Sequence, residues 1–300
     1  MAPHKTFMAY LQLIRVANSL TAASNILAAY FLTTAMLGQS LNQGSDQITN
    51  LILLIIASVL LYSSGMIMND CFDYEEDLRE RSQRPLPNGQ IPLSHAWCLC
   101  GTTLIAGLIV AAMVGITQFI IAATLAVLII FYNGVAKQTN WAPWLMGSCR
   151  YSNWILGLSL LGLQTTSFLI ALPVFLYVSG LTLLSRIETS ASDTRPLIQS
   201  ILLITASGLV IALLIINDIF PNNWTLIALL AAELLILYLS YITWHEFNPT
   251  QIQQMVKILV IGIIPLDAIL VWGAGNLWGG LIILSLLIPT RLLAKRMYVT

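Results

Sequence analysis

The sequence predicts an all-α protein, a polytopic integral membrane bundle of about nine to ten transmembrane helices that forms a single domain over residues 1–300. Three observations carry that prediction. The chain is 58% apolar and 9% charged, with a mean hydropathy of +0.84, a balance that water-soluble globules do not show. Crossing a bilayer as a helix takes roughly 18 apolar residues, and apolar runs of about that length recur at 18–37, 49–69, 95–114, 116–132, 143–163, 167–184, 198–217, 222–243, 254–272 and 276–290. Nothing between them is long enough for a second, soluble domain. Finally, the positive charges are sorted. Ten crossings bring Lys5, Arg15, Arg79, Arg81, Arg84, Lys137, Arg150, Arg186, Arg195, Lys257, Arg291, Lys295 and Arg296 to or near one membrane face, and connections 38–48, 115, 164–166, 218–221 and 273–275 hold no Lys or Arg. That asymmetry is the positive-inside pattern, so both termini are expected in the cytoplasm. Nine crossings would strand Arg291, Lys295 and Arg296 outside; the short last run keeps that count open.

Taken in order, the first run follows Lys5 and Arg15 as a signal peptide would, but it is too long and too polar, so a retained helix is expected. Arg15, Asn18, Thr21, Ser24 and Asn25 form a helical stripe. In lipid that stripe would be costly, so it faces either a site or neighbouring helices, where Ser, Thr and Asn commonly hold bundles together. Ser94 is the expected N-cap of the third run. The fourth ends in Tyr132 and, five residues on, Lys137, which suits an interface anchor or a snorkelling lysine. The fifth carries Arg150 a turn or two inside apolar sequence, where a guanidinium needs a partner; the acidic motif is the expected one. A second, sparser cluster of acids and arginines spans 185–196. Glu233 and Asp267 lie inside apolar runs and are functional candidates by default, although either could be neutral and hydrogen-bonded; neither is assigned to catalysis. His4, His95 and His245 are expected at membrane surfaces. Cys71, Cys98, Cys100 and Cys149 have no disulfide or metal spacing and read as packing residues. The formal net charge is zero and its carriers are sorted towards the membrane face, so no nucleic-acid partner is expected.

The densest chemistry lies at 69–89. Nine of the chain's thirteen acids and thirteen Lys and Arg fall between Asp70 and Arg84. On a helix, Asn69, Asp73 and Asp77 repeat every four residues and share a face. Such a column of oxygen ligands suits Mg2+, which takes one or two carboxylates and completes its shell with water and phosphate oxygens. Arg79, Arg81 and Arg84 could clamp the same phosphates. Spacing alone is equally satisfied by a solvated acidic-then-basic loop.

The wider context adds a resemblance. Asn69-Asp70-x-x-Asp73-x-x-x-Asp77 is similar to the first aspartate-rich motif, NDxxDxxxD, of the UbiA superfamily of intramembrane prenyltransferases, and Arg84-Pro85-x-Pro87-x-Gly89 resembles the RPxPxG segment that follows it. Arg15 with Asn18, the Tyr132–Lys137 stretch and Arg150-x-x-Asn153-x-x-x-Gly157 resemble further positions. Within the superfamily, Ser185-Arg186-x-Glu188, Gly147-x-Cys149-Arg150-x-x-Asn153 and the segment from Val256-Lys257 to Leu266-Asp267-Ala268 look most like the EboC branch, which is tied to export or processing of secondary metabolites. The family's second motif is a further DxxD or DxxxD holding a second Mg2+. Here Thr189 stands four residues before Asp193, and Glu188 is one position off that register.

The resemblance implies helices around a central cavity open to the cytoplasmic side, in a multi-pass protein of a bacterial inner membrane. It implies Mg2+ held by Asn69, Asp73 and Asp77, with Arg15, Asn18, Arg84, Lys137 and Arg150 binding the diphosphate of a prenyl donor. Asp73, Asp77, Glu188 and Asp193 are the implied catalytic residues. The expected reaction passes an isoprenyl group from a prenyl diphosphate to a hydrophobic acceptor, aromatic or lipid-like, with membrane lipids around the bundle. The rival is a UbiA-fold protein that binds or moves a prenylated or amphipathic metabolite without turnover, to which the altered second motif lends support.

Overall fold

The computed structural model describes residues 3–38, 45–191 and 193–296; the side chains of His4, Lys5, Lys295 and Arg296 lie outside the described ones. The chain runs through helices α1 (Pro3–Leu13), α2 (Val16–Met36), α3 (Ser45–Phe72), α4 (Tyr74–Glu80), α5 (Leu93–Val114), α6 (Ile116–Phe131), α7 (Ala142–Leu158), α8 (Thr165–Ile170), α9 (Leu172–Ser185), α10 (Arg195–Ile216), α11 (Thr225–His245), α12 (Pro249–Gly273), α13 (Leu277–Ser285) and α14 (Leu287–Arg296). No strand occurs among the described residues.

Eight helical stretches are long and apolar enough to cross a membrane: α3, α5, α6 with the turn after it, α8–α9, α10, α11, α12 and α13–α14. The other two expected crossings are helical as well. They are α2, which carries the polar stripe, and α7, seventeen residues long. The protein is therefore a multi-pass membrane bundle.

The punctuation follows the sequence. Pro173, Pro196 and Pro249 sit in the first turn of α9, α10 and α12, where a missing N–H costs nothing. Asn248 and Asn276 cap α12 and α13, accepting from the backbone N–H of Gln251 at 3.0 Å and Gly279 at 2.8 Å. One expectation needs correction, and one break is new. Helix α5 starts at Leu93, behind Pro92 with its fixed φ, and Ser94 lies inside it rather than capping it. The run before α2 is itself a helix, α1, and the break between them is Arg15, in the left-handed conformation at φ 49, ψ 54.

Helix α2 lies at the centre of the bundle, against α3, α7, α12, α13 and α14. Small residues let these backbones approach. A Cβ on Gly157 of α7 would stand 2.7 Å from the Ala29 Cβ of α2, and one on Gly107 of α5 would stand 2.9 Å from Leu61 of α3. The outward faces of α10 and α11 expose Leu202, Leu209, Leu230, Leu234 and Leu237, as a lipid-facing surface requires. His95 and His245 are exposed at helix ends, and the four cysteines are free.

Candidate functional site

The charged stretch after α3 is a folded cluster at one end of the bundle. The α3 backbone continues through Asp73 into α4, with Asp73 N–H donating to Asn69 O at 3.0 Å and Asp77 N–H to Asp73 O at 2.8 Å. The four-residue repeat therefore survives, and Asp70 and Asp77 are buried. Each carboxylate meets a cation from elsewhere. Arg15 Nη2 donates to Asp70 Oδ1 at 3.0 Å, from the left-handed corner between α1 and α2. Arg84 Nη1 donates to Asp77 Oδ2 at 2.7 Å and lies 3.6 Å from Asp70 Oδ1. Arg81 Nη1 stands 3.6 Å from Asp77 Oδ1. Lys137 Nζ pairs with Asp73 Oδ2, to which Asn69 Nδ2 also donates at 3.1 Å.

Local chain geometry delivers these cations. After α6 the chain takes a π-helical turn, Tyr132–Ala136, closed by Lys137 N–H to Tyr132 O at 2.9 Å; single π turns of this kind cluster at functional sites. Lys137 is thus a member of the cluster rather than only a snorkelling lysine. A non-glycine residue in the left-handed region, such as Arg15, costs about 1–3 kcal/mol, and here the strained residue is the one that reaches Asp70.

A cavity of about 290 Å3 opens at this cluster, and Arg15, Asp70, Arg81 and Arg84 line it with Glu188 and Gln253. Gln253 of α12 reaches across to the backbone carbonyl of Glu188 at 3.2 Å. Burial holds the Glu188 carboxyl above its ordinary value, against the opposing pull of Arg81, Arg15, Arg84 and Lys257. Asp193 is elsewhere. It is half-exposed in front of α10, accepts the Arg195 backbone N–H at 3.0 Å and does not line the cavity. Of the two carboxylates expected from the second cluster, the structure brings Glu188 to the first cluster and leaves Asp193 outside.

Arg150 requires a correction. It is buried, and its partners are on α2 and α3 rather than in the acidic motif: Nη1 donates to Asn25 Oδ1 at 3.2 Å, Nη2 to Thr21 Oγ1 at 2.7 Å, and the Tyr62 ring lies 4.9 Å from its guanidinium carbon. Tyr62 precedes Asp70 by two helical turns, about 12 Å along α3, so Arg150 stands deeper than the rim cluster. The polar stripe of α2 thus divides. Arg15 belongs to the rim, Thr21 and Asn25 to this deeper centre, and half-buried Asn18 lies between them. Glu233 sits apart, on α11 against Gly208 of α10.

One residue's role and another's partners escaped the sequence reading. Asp70 falls off the Asn69–Asp73–Asp77 column, yet it is the carboxylate that Arg15 and Arg84 share. Its place in the quoted motif was the available signal. Asp267 is fully buried and bonded to α2 and α7, a role no local pattern announces.

The rim cluster suits a hard cation in donor chemistry. Its ligand atoms are carboxylate and amide oxygens, the set Mg2+ prefers, and the buried Oδ1 of Asp77 accepts no hydrogen bond among the described residues. Among those residues no three His, Cys, Asp or Glu side chains already converge as a metal cage. Mg2+ takes only one or two protein carboxylates and fills its shell with water and phosphate, so it does not need one.

Comparison with known proteins agrees with this picture. Residues 30–201 match the model of the UbiA prenyltransferase family. The chain is similar to the digeranylgeranylglyceryl phosphate synthase of Sulfurisphaera tokodaii, 31% identical over 124 residues that make up 41% of either protein. It thus spans about two-fifths of the length of that curated relative. A longer match to the synthase of the same name from Sulfolobus acidocaldarius is 25% identical over 273 residues, 85% of this chain and 94% of the relative. Among solved structures, a UbiA homologue from Archaeoglobus fulgidus bound to GPP and Mg2+ shares the fold, with a TM-score of 0.65 at 14% identity over 88% of this chain and 99% of that one.

Proposed function

The chain belongs to the UbiA prenyltransferase family, and on that premise we propose that it transfers an isoprenyl group from a prenyl diphosphate to a hydrophobic acceptor, aromatic or lipid-like, within the membrane. The observation that carries the reading is the rim cluster in which Arg15 and Arg84 meet Asp70 and Asp77 and Lys137 meets Asp73; Arg15, Asp70 and Arg84 line the cavity, and Asn69, Asp73, Asp77 and Lys137 stand behind that lining. In this reading Asn69, Asp73 and Asp77 hold Mg2+, which supplies charge neutralisation for the departing diphosphate. Arg15, Asn18, Arg84 and Lys137 bind and orient the diphosphate oxygens, guanidinium forks matching phosphate geometry. They are aimed where negative charge grows as the allylic C–O bond breaks. Arg150 adds positive potential from below, an effect that low dielectric strengthens. Glu188 is the carboxylate placed to take the proton that the acceptor loses. The isoprenoid tail lies among the apolar helices, and the charged rim faces the cytoplasm of a bacterial inner membrane, with both termini on that side.

A second reading, binding or export of a prenylated or amphipathic metabolite without turnover, as the EboC-like features suggest, is favoured by one observation: Asp193 accepts the Arg195 backbone N–H in the exposed loop before α10 instead of joining the cavity. Purified protein in nanodiscs, given Mg2+ and donors from geranyl to polyprenyl diphosphate with a panel of aromatic and glycerol-based acceptors, separates the two. Pyrophosphate release with a prenylated product is the expected outcome. Donor binding without release across the whole panel would replace it with the carrier reading.

A further inference from the structure

Beneath the rim lies a second polar centre built from four helices. Asp267 of α12 is fully buried. It accepts hydrogen bonds from Ser24 Oγ, from Asn25 Nδ2 at 2.9 Å to each carboxylate oxygen, and from Trp154 Nε1 at 3.1 Å. All these donors are neutral. The other amide atom of Asn25, Oδ1, receives Arg150 Nη1 at 3.2 Å and Asn153 Nδ2 at 3.3 Å.

A buried guanidinium and a buried carboxyl on either side of one amide would be satisfied most directly by touching. They do not: Arg150 forms no ion pair with any carboxylate among the described residues. The Asn25 amide stands between them, and its orientation is dictated by Asp267. A flipped amide would turn its oxygen towards the carboxylate and its NH2 towards the guanidinium, setting acceptor against acceptor and donor against donor. Held this way, the guanidinium keeps its charge, with hydrogen bonds from two of its five N–H groups among the described residues.

We propose that Asp267 is a positioning residue. Through Asn25 it holds Arg150 as an un-neutralised cation beneath the rim, where its potential attracts the anionic group of the bound substrate. The inference rests on the positive potential that the proposed function assigns to Arg150.

The test moves the carboxylate across the amide. Asn25→Asp combined with Asp267→Asn keeps side-chain volume and the number of acidic residues but pairs Arg150 directly with a carboxylate. A merely structural role for the network predicts unchanged folding and unchanged affinity for geranyl diphosphate with Mg2+. The proposal predicts an unfolding temperature close to wild type and an affinity about tenfold weaker, as one charge acting through a low-dielectric site is cancelled. Arg150→Gln, which leaves Asp267 and its donors in place, is the companion variant, and it too must lose about tenfold. Wild-type affinity in either variant overturns the inference while leaving the function standing. A wild-type protein without affinity for geranyl diphosphate overturns both.

Discussion

The molecule solves the problem of charge in a membrane bundle in two ways. At the rim, Asp70, Asp73 and Asp77 are met directly by Arg15, Arg84, Arg81 and Lys137, in a cluster whose cations keep partial access to solvent. About two turns deeper, Arg150 and Asp267 are kept apart by an amide and satisfied by neutral groups. The rim opens on a cavity and its cations keep partial access to solvent, so it can trade their pairing for a cation and a diphosphate. The deep network is buried and hydrogen-bonded across α2, α7 and α12, which makes it expensive to disturb. One region is suited to binding, the other to holding a charge in place.

The sharpest way to break that contrast is to delete one carboxylate from each region. Asp267→Ala leaves the Ser24, Asn25 and Trp154 donors unpaired in the core and is expected to cost about 3 kcal/mol of stability, read as a lowered unfolding temperature in detergent. Asp73→Ala at the rim should move that temperature far less, and equal losses would erase the distinction. Next, Arg84→Lys keeps the charge but loses the fork and should weaken diphosphate binding about tenfold at unchanged stability. An unaltered affinity would mean that Arg84 serves only to neutralise Asp77.

The pH dependence sharpens the rim's side of the comparison. The Glu188 carboxyl is held above its ordinary value by burial. As a proton acceptor it works only above that raised value, so turnover should fall as pH drops through it, and Glu188→Gln should remove this acidic limb from the rate profile. The linkage has the opposite direction for stability. The contribution of Glu188 is fully present below the ordinary glutamate pKa and is lost as pH rises through the raised one, a slope that the Gln variant should flatten. The smallest effect is expected at Glu233, which touches neither region: Glu233→Gln should leave diphosphate affinity unchanged, and a large loss would place a third functional acid on the α10–α11 pair.

Local patterns were legible in the sequence and assembled ones were not. The run lengths anticipated the helices, and the four-residue repeat with Arg81 and Arg84 anticipated the rim, whereas Arg79 is exposed and pairs with no carboxylate among the described residues. Helix α4 and the corner at Arg15 were missed, since a short polar helix and a left-handed arginine carry no hydropathy signal. Arg150 was matched to the wrong partner for a physical reason. Its depth demanded compensation, and the sequence offers acidic residues as the obvious source, whereas the fold uses an amide, a hydroxyl and an aromatic ring. Asp267 lies 242 residues from Asn25, so only the packing of α12 against α2 and α7 reveals what it holds.

The central claim, that the rim cluster is the diphosphate site, is tested most directly by the affinity of geranyl diphosphate for nanodisc-embedded protein with and without Mg2+, in wild type and Asp73→Asn. The account predicts that Mg2+ strengthens binding to the wild type, and that Asp73→Asn abolishes most of that gain, by a factor of about a hundred if a charged ligand is lost. Mg2+-dependent binding that survives unchanged in Asp73→Asn would contradict it.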